Sequence, residues 1–199
     1  MDCKKYDEKF YILPDEIADK ENSCLIRIME ELILAGKFCL DFGCGTGYWI
    51  YALNRLRTKC TGVDISKKAI ITCSNKFPNM RFSLLAGTEI PYPDYYFDFI
   101  LCAWVFQEIT KENDFIAVLN ELRRVLKTKG KILVVDNEYP DKRVLYQSGK
   151  YGDLFFDNEG SGKLRFFQKS TVTKIMEELN LQIIKRQFIG NSFFEVYEK

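Results

Sequence analysis

Histidine is missing altogether from this chain of 199 residues. Its absence excludes every mechanism in which an imidazole activates serine or cysteine, and every histidine-ligated metal centre. A general base must then be Asp, Glu, Tyr, Lys or water. Net charge is nearly missing too: 29 basic against 28 acidic side chains leave +1, so no broad surface for a polyanion is expected. No apolar run approaches the length of a membrane span, and Met1-Asp2-Cys3-Lys4-Lys5 carries no apolar signal-peptide core. The seven cysteines are odd in number and none forms a C-x-x-C pair. Several fall within expected strands and helices, where a thiol is a small apolar filler. The expectation is a reducing, cytoplasmic compartment with no disulfide and no metal site.

Glycine is present where it counts. Leu40-Asp41-Phe42-Gly43-Cys44-Gly45-Thr46-Gly47 follows an apolar strand and precedes the helical start Tyr48-Trp49-Ile50-Tyr51-Ala52-Leu53. Glycine accepts positive φ and lets a ligand approach bare backbone, while amides at a new helix start present partial positive charge. The dinucleotide fingerprint is G-x-G-x-x-G. Here the third glycine comes one residue early, and Tyr48 stands where the fingerprint wants glycine. Asp41, two residues before the first glycine, would repel a pyrophosphate but suits a ligand carrying an ammonium and a sulfonium. The stretch therefore favours S-adenosylmethionine over a nicotinamide dinucleotide.

The remaining pattern reads as alternating helix and strand. Leu25, Ile28, Met29, Leu32 and Ile33 have helical spacing, with Gly36 as the stop. Cys60–Ser66 is a second strand whose end carries Asp64, about twenty residues beyond the glycine loop, where a carboxylate meets ribose hydroxyls in such folds. That role wants both oxygens free. Ser66 fits as cap of the helix Lys67–Lys76, and Ile65 is placed to cover adenine. Arg81–Leu85 is the third strand, and Phe97–Cys102 the fourth, apolar enough to be buried on both faces. A helix over Lys111–Leu126 turns at Lys129-Gly130 into a fifth strand, Lys131–Asp136. After a long connection come a helix, Thr171–Asn180, and two strands, Gln182–Phe188 and Ser192–Tyr197, joined at Gly190-Asn191. One domain, 1–199, is expected: an N-terminal lid and helix (1–36), a cofactor-binding core (37–136), a substrate-side insertion (137–167), and a C-terminal helix and hairpin (168–199).

Four pieces in order carry a resemblance: L-D-F-G-C-G-T-G at 40–47, G-V-D-I-S at 62–66, I-P-Y-P-D-Y-Y-F-D-F-I-L at 90–101, and E-L-R-R-V-L-K-T-K-G-K-I-L-V-V at 121–135. The chain resembles the class I S-adenosylmethionine-dependent methyltransferases of small-molecule type. The resemblance implies an α/β, Rossmann-like three-layer sandwich on a seven-stranded, mostly parallel sheet, ordered 3-2-1-4-5-7-6 with strand 7 antiparallel. It also implies that Asp41 and the Gly43–Gly47 loop, including Cys44, Gly45 and Gly47, hold the methionyl part. Asp64 and Ile65 would take the ribose and adenine, and the Ala103 carbonyl would face the amino group. Relatives often carry an aspartate after the third strand for the adenine amino group. Here Ala86, Gly87 and Thr88 stand there, so backbone or the Thr88 hydroxyl must serve. Gln107-Glu108 replaces residues that are often histidine in relatives.

The reaction expected is in-line displacement at the sulfonium methyl, for which the protein mainly aligns the reactants. Tyr11, Trp104, Phe106 and Tyr139 are candidate walls of an aromatic pocket. Glu108 and Glu138, just beyond the fourth and fifth strands, are candidate bases or partners for a cationic amine. Arg143 and Arg165 are candidates for an acidic acceptor. A small molecule is the expected partner, with no membrane; oligomeric state and acceptor atom stay open. Nucleic acid is not expected, because Cys102-Ala103-Trp104-Val105 occupies the place of the N/D/S-P-P-Y/F/W motif of amino-methylating DNA and RNA enzymes. The alternatives are a protein or RNA methyltransferase of the same fold, a non-catalytic S-adenosylmethionine-binding module, and a nicotinamide dehydrogenase.

Overall fold

Apolar residues of alternating parity explain why one sheet is covered on both faces. The computed structural model describes residues 20–137, 145–147, 153–156, 163–166 and 171–199. The expected lid over residues 1–19, and with it Tyr11, lies outside the described residues, as do Glu138, Tyr139 and Arg143. The strands are β1 (Phe38–Phe42), β2 (Lys59–Asp64), β3 (Arg81–Leu84), β4 (Phe97–Ala103), β5 (Leu126–Asn137), β6 (Leu145–Gln147), β7 (Asp153–Phe156), β8 (Lys163–Phe166), β9 (Gln182–Ile189) and β10 (Ser192–Glu198). Helices are α1 (Lys20–Glu31), α2 (Tyr48–Arg55), α3 (Lys67–Lys76), α4 (Glu112–Val125) and α5 (Thr171–Glu178), with a short 3₁₀ turn at Phe106–Glu108.

The main sheet runs β3-β2-β1-β4-β5-β10-β9. Only β10 runs antiparallel to its neighbours. Counting the seven strands in chain order, this is the 3-2-1-4-5-7-6 arrangement the resemblance implied. A second, three-stranded antiparallel sheet, β6-β7-β8, occupies part of the expected insertion.

Side chains alternate across the sheet. Leu40, Ile100, Cys102, Ile132 and Val134 face the cluster that holds Phe115, Val118 and Leu122 of α4 and Met176 of α5. Cys39, Phe99, Leu101, Leu133 and Val135 face the opposite cluster, with Leu25, Ile28 and Met29 of α1 and Leu53 of α2. Helical spacing on one side of each helix and alternation along each strand thus meet in two apolar layers.

Two expectations change. The apolar spacing from Leu25 carries on to Ile33, but α1 stops at Glu31, and Ile33 has φ 51 and is 78% exposed. Beyond it, Gly36 donates its N–H to Arg57 O at 2.9 Å, so the chain leaves the helix early to reach β1 beside β2. The Lys129-Gly130 turn is not an interruption before β5. It lies inside the strand as an irregularity, with Lys129 at φ 63, and the ladder to β4 shifts register between Phe97 and Phe99. The end of the chain holds it there: Lys129 N–H donates to Lys199 O at 2.8 Å.

Leu101 is fully buried on central β4. Leu101→Ala is expected to lower stability by about 2–5 kcal/mol, seen as a lower urea midpoint at unchanged slope. Ile184, half exposed on the outer strand β9, should lose less than about 1 kcal/mol on the same change. Equal losses at the two positions would overturn this account of the core.

Candidate active site

The carboxyl ends of β1, β2 and β4 converge on one cavity, where an open parallel sheet binds its ligands. At the end of β1 the chain must leave the sheet and enter α2 within five residues. Gly43, Gly45 and Gly47 all adopt positive φ, at 74°, 50° and 86°. Gly43 N–H and Cys44 N–H both donate to Val63 O, at 2.8 and 3.0 Å, which folds the loop over the end of β2. Gly45 N–H then donates to Asp64 Oδ2 at 2.8 Å, and Asp64 Oδ1 accepts from Ser66 N–H at 2.8 Å. Ser66 is the cap expected of it: its Oγ accepts from Ala69 N–H at 3.0 Å and starts α3.

The three glycines do different jobs. A Cβ on Gly47 would lie 2.8 Å from the Phe77 ring and 3.1 Å from Cys73 Sγ, so this glycine lets α2 and α3 pack closely. A Cβ on Gly43 would meet Val105 Cγ2 at 2.5 Å. A Cβ on Gly45 would meet nothing within 4 Å, so bare backbone there faces open space. The early third glycine is thus explained by packing against α3.

The cavity gathers Gly43, Asp64, Ile65, Ala103, Trp104 and Glu108 from the expected residues. Sequence reasoning missed its other walls, Phe42, Leu85, Val105 and Ile109. Val105 and Ile109 follow β4 directly, and their place beyond a strand's carboxyl end was the available signal. Trp104 has φ 55, a left-handed conformation that is an outlier for a bulky residue. It is held by its N–H donating to Val135 O at 2.7 Å and by stacking on Trp49 at 6.1 Å. The reversal there turns the chain out of the sheet and across the cavity.

Other expected residues lie elsewhere. Cys44 is buried behind the loop with Ile50 and Cys73, and Gly47 is buried under α3. Gly87 and Thr88 follow β3 but are not among the cavity walls. Phe106 is corrected from wall to core: it is 1% exposed and packs edge-on against Phe115 at 5.4 Å. Arg165 is corrected from substrate ligand to clamp. It is fully buried on β8, donates to Ile109 O at 2.9 Å and Thr110 O at 2.8 Å, and lies over the Phe115 ring. Its guanidinium fixes the segment after the 3₁₀ turn.

Two buried acids support the walls. Asp41 lies beneath the glycine loop and accepts a hydrogen bond from Ile50 N–H in the first turn of α2. Burial, with the charge of Asp64 nearby, pushes its carboxyl up to about 8. Asp136, at the end of β5, accepts from Gln107 N–H at 3.0 Å and Asn137 N–H at 2.9 Å, so it pins the 3₁₀ turn that carries Glu108. Burial pushes it up to about 8 as well, against those hydrogen bonds and with help from Glu108. The closing of an apolar run with Asp136, on the same edge as Asp41 and Asp64, was a usable signal that went unused.

S-adenosylmethionine fits these residues on two observations. Oδ2 of Asp41 is buried and, among the described residues, has no hydrogen-bond partner, so an acceptor stands ready beneath the loop. The space over Gly45 leaves its backbone open beside Asp64. An acidic, glycine-floored edge with apolar walls matches a ligand that carries positive charge and an apolar body. Asp64 does not have both oxygens free, as the sequence reading wanted. A carboxylate offers about four acceptor positions, so these two backbone donors are compatible with further ones.

Both buried acids bind a proton more tightly folded than unfolded, since about 8 lies well above the ordinary aspartate value of about 3.9. Stability contributed by that proton is present below the unfolded pKa and is lost as pH rises towards about 8. Asp41→Asn should flatten this loss, by up to about 1.4 kcal/mol per pH unit, in urea titrations across that range. Parallel pH curves for variant and wild type would count against a protonated Asp41. A second pair of variants separates the glycines: Gly47→Ala should lose about 1–3 kcal/mol by strain and clash. Gly45→Ala carries the strain alone and should lose less, so a larger loss at Gly45 would contradict this division.

Residues 40–134 match the family model of a methyltransferase domain. The uncharacterized methyltransferase YcgJ of Bacillus subtilis (strain 168) is 32% identical over 111 residues, covering 53% of this chain and 43% of that protein. The demethylmenaquinone methyltransferase of the same organism is 28% identical over 146 residues, covering 69% and 60%. The solved structure of an S-adenosylmethionine-dependent methyltransferase from Methanosarcina mazei superposes with a TM-score of 0.75 at 18% identity, covering 86% of this chain and 96% of that one; this likeness is one of fold. The chain spans about half the length of the curated relatives it matches, 43% and 60% for these two. The domain at residues 40–134, just under half of the chain, is thus similar to a methyltransferase domain, within a fold shared with solved S-adenosylmethionine-dependent methyltransferases.

Proposed function

We propose that the protein transfers a methyl group from S-adenosylmethionine to a small-molecule acceptor. The observation that carries this reading is the junction of Gly45 N–H, Asp64 and the apolar cavity that opens beside them. When bound, S-adenosylmethionine supplies an electrophilic methyl group on a sulfonium. The protein's part is to bind, orient and keep water out. Asp64 would hold the ribose hydroxyls, Ile65 and Leu85 would cover the adenine, and Asp41 would answer the ammonium from beneath the loop. Trp104, Val105 and Ile109 form an apolar wall against which an acceptor is aligned and dehydrated. Glu108 is the carboxylate on that wall, and it would take a proton from the acceptor or pair with a cationic amine.

Relatives named for demethylmenaquinone support a small acceptor, as does the near-neutral charge. The dissection into an N-terminal lid (1–36) and a substrate-side insertion (137–167) remains part of this reading. The six cysteines among the described residues are free thiols, which suits a reducing cytoplasm. Among the described residues no helix is long and apolar enough to cross a membrane.

Calorimetry with S-adenosylmethionine and S-adenosylhomocysteine tests the reading. Wild type should bind both, and Asp64→Ala should weaken each by about tenfold or more, the size of one charge-assisted hydrogen bond. No measurable binding to wild type would sink it. A labelled-methyl screen over metabolites then separates an enzyme from a module that binds without turnover.

A further inference from the structure

A second cleft opens at the opposite edge of the sheet, and its volume of about 330 Å³ exceeds the roughly 110 Å³ of the cofactor-side cavity. Four of its walls are the first residues of four strands: Phe38 of β1, Lys59 of β2, Arg81 of β3 and Phe97 of β4. Asp64 lies five residue steps along β2 from Lys59, about 16 Å of strand. The cleft is therefore a separate site. That volume is ample for one small organic molecule.

We propose that this cleft binds a small planar anion, a flat ring bearing a carboxylate or a phosphate. Lys59 and Arg81 are both exposed on its wall, and neither makes an ion pair among the described residues. Among the described residues no carboxylate lines the cleft. The closest acid along the chain, Asp98, is already engaged, accepting from Lys127 Nζ at 2.9 Å and Phe38 N–H at 3.0 Å. At the ends of α2 and α3, Leu53 O accepts from Thr58 Oγ1 at 2.9 Å, Asn54 O from Arg57 N–H at 2.9 Å, and Cys73 O from Phe77 N–H at 2.8 Å. Two cations thus face an opening that, among the described residues, no carboxylate lines, which is the electrostatic form of an anion site.

A flat partner is indicated by the aromatic wall of the cleft. Tyr92 and Tyr96 lie 5.3 Å apart, and Tyr96 lies 5.4 Å from Phe38. The wall is rigid. Thr61 Oγ1 donates to Arg81 O at 2.9 Å and so accepts from the Tyr92 hydroxyl at 2.8 Å, tying that ring to β2 and β3. Arg124 holds the backbone at the other side, donating to Tyr92 O at 2.9 Å and Ile90 O at 2.9 Å. Asn54 and Asn79 add carboxamides for polar substituents. A fixed aromatic wall costs little order on binding and accepts a ring by offset stacking.

The test is calorimetric titration of the full chain with 4-hydroxybenzoate and with uridine 5′-monophosphate, which separate the carboxylate from the phosphate source. At least one should bind with a dissociation constant below about 1 mM. Lys59→Gln and Arg81→Gln should each weaken it by about tenfold and reduce its salt dependence. Asp64→Ala, on the far edge, should bind the probe as wild type does. Both substitutions in the cleft are at exposed side chains, and circular dichroism checks that the variants fold. Binding of neither probe would overturn the proposal. So would binding that survives the Lys59→Gln/Arg81→Gln double variant, or that disappears in folded Asp64→Ala.

Discussion

The hydrogen bond from Gly45 N–H to Asp64 Oδ2, 2.8 Å long, is the constraint on which the carboxyl edge of the sheet depends. It forms only because Gly43 and Gly45 accept positive φ, which turns successive amides towards β2. Two of those amides end on Val63 O and the third on Asp64. The same carboxylate accepts from Ser66 N–H, and Ser66 starts α3. One acid therefore joins the end of β1, the end of β2 and the beginning of a helix. The cavity beside it has a fixed floor, so a ligand meeting Asp64 meets a group already oriented.

Much of this was legible because its causes are local. Glycines at spacing two, an acid closing an apolar strand, and a serine before a helical run each report on a few neighbouring residues. Strand order was legible through the resemblance, and alternation on β4 and β5 agrees with two covered faces. Failures came where a distant partner decides. Arg165 is an ordinary charge in a polar stretch until Ile109 O and Thr110 O, 56 and 55 residues away, take its guanidinium. Phe106 sits at the ligand edge by sequence, yet Phe115 on α4 draws its ring into the core. Ile33 completes a helical stripe, but the tie of Gly36 to Arg57 takes the chain elsewhere. Tertiary contacts override propensity at each of these positions.

Asp41 and Asp136 are two uses of one device. Each stands near the carboxyl end of a central strand, fully enclosed, and accepts a backbone N–H from the segment that crosses over that end. Charging either acid in that interior is costly, whereas leaving crossing amides unpaired would also cost about 1–3 kcal/mol each. A carboxyl that keeps its proton near neutrality reconciles the two demands. A chain without histidine therefore still has groups that titrate near pH 8. They lie under the two walls of the cavity, α2 on one side and the 3₁₀ turn on the other.

A net charge of +1 conceals a division between the two edges of the sheet. The charged acids Asp64 and Glu108 stand where the parallel strands end, above the protonated Asp41 and Asp136. Lys59 and Arg81 stand where β2 and β3 begin. Along β2 the distance is about 16 Å, roughly twice the Debye length at physiological ionic strength. At that separation the attraction between the exposed Lys59 and the half-buried Asp64 is weak, so each edge sets its own preference: cations at one, anions at the other. Any influence between them must then pass mechanically, through β1 and β2, whose two ends form parts of both sites. Strands packed on both faces yield little, so occupancy of one edge should leave the geometry of the other nearly unchanged.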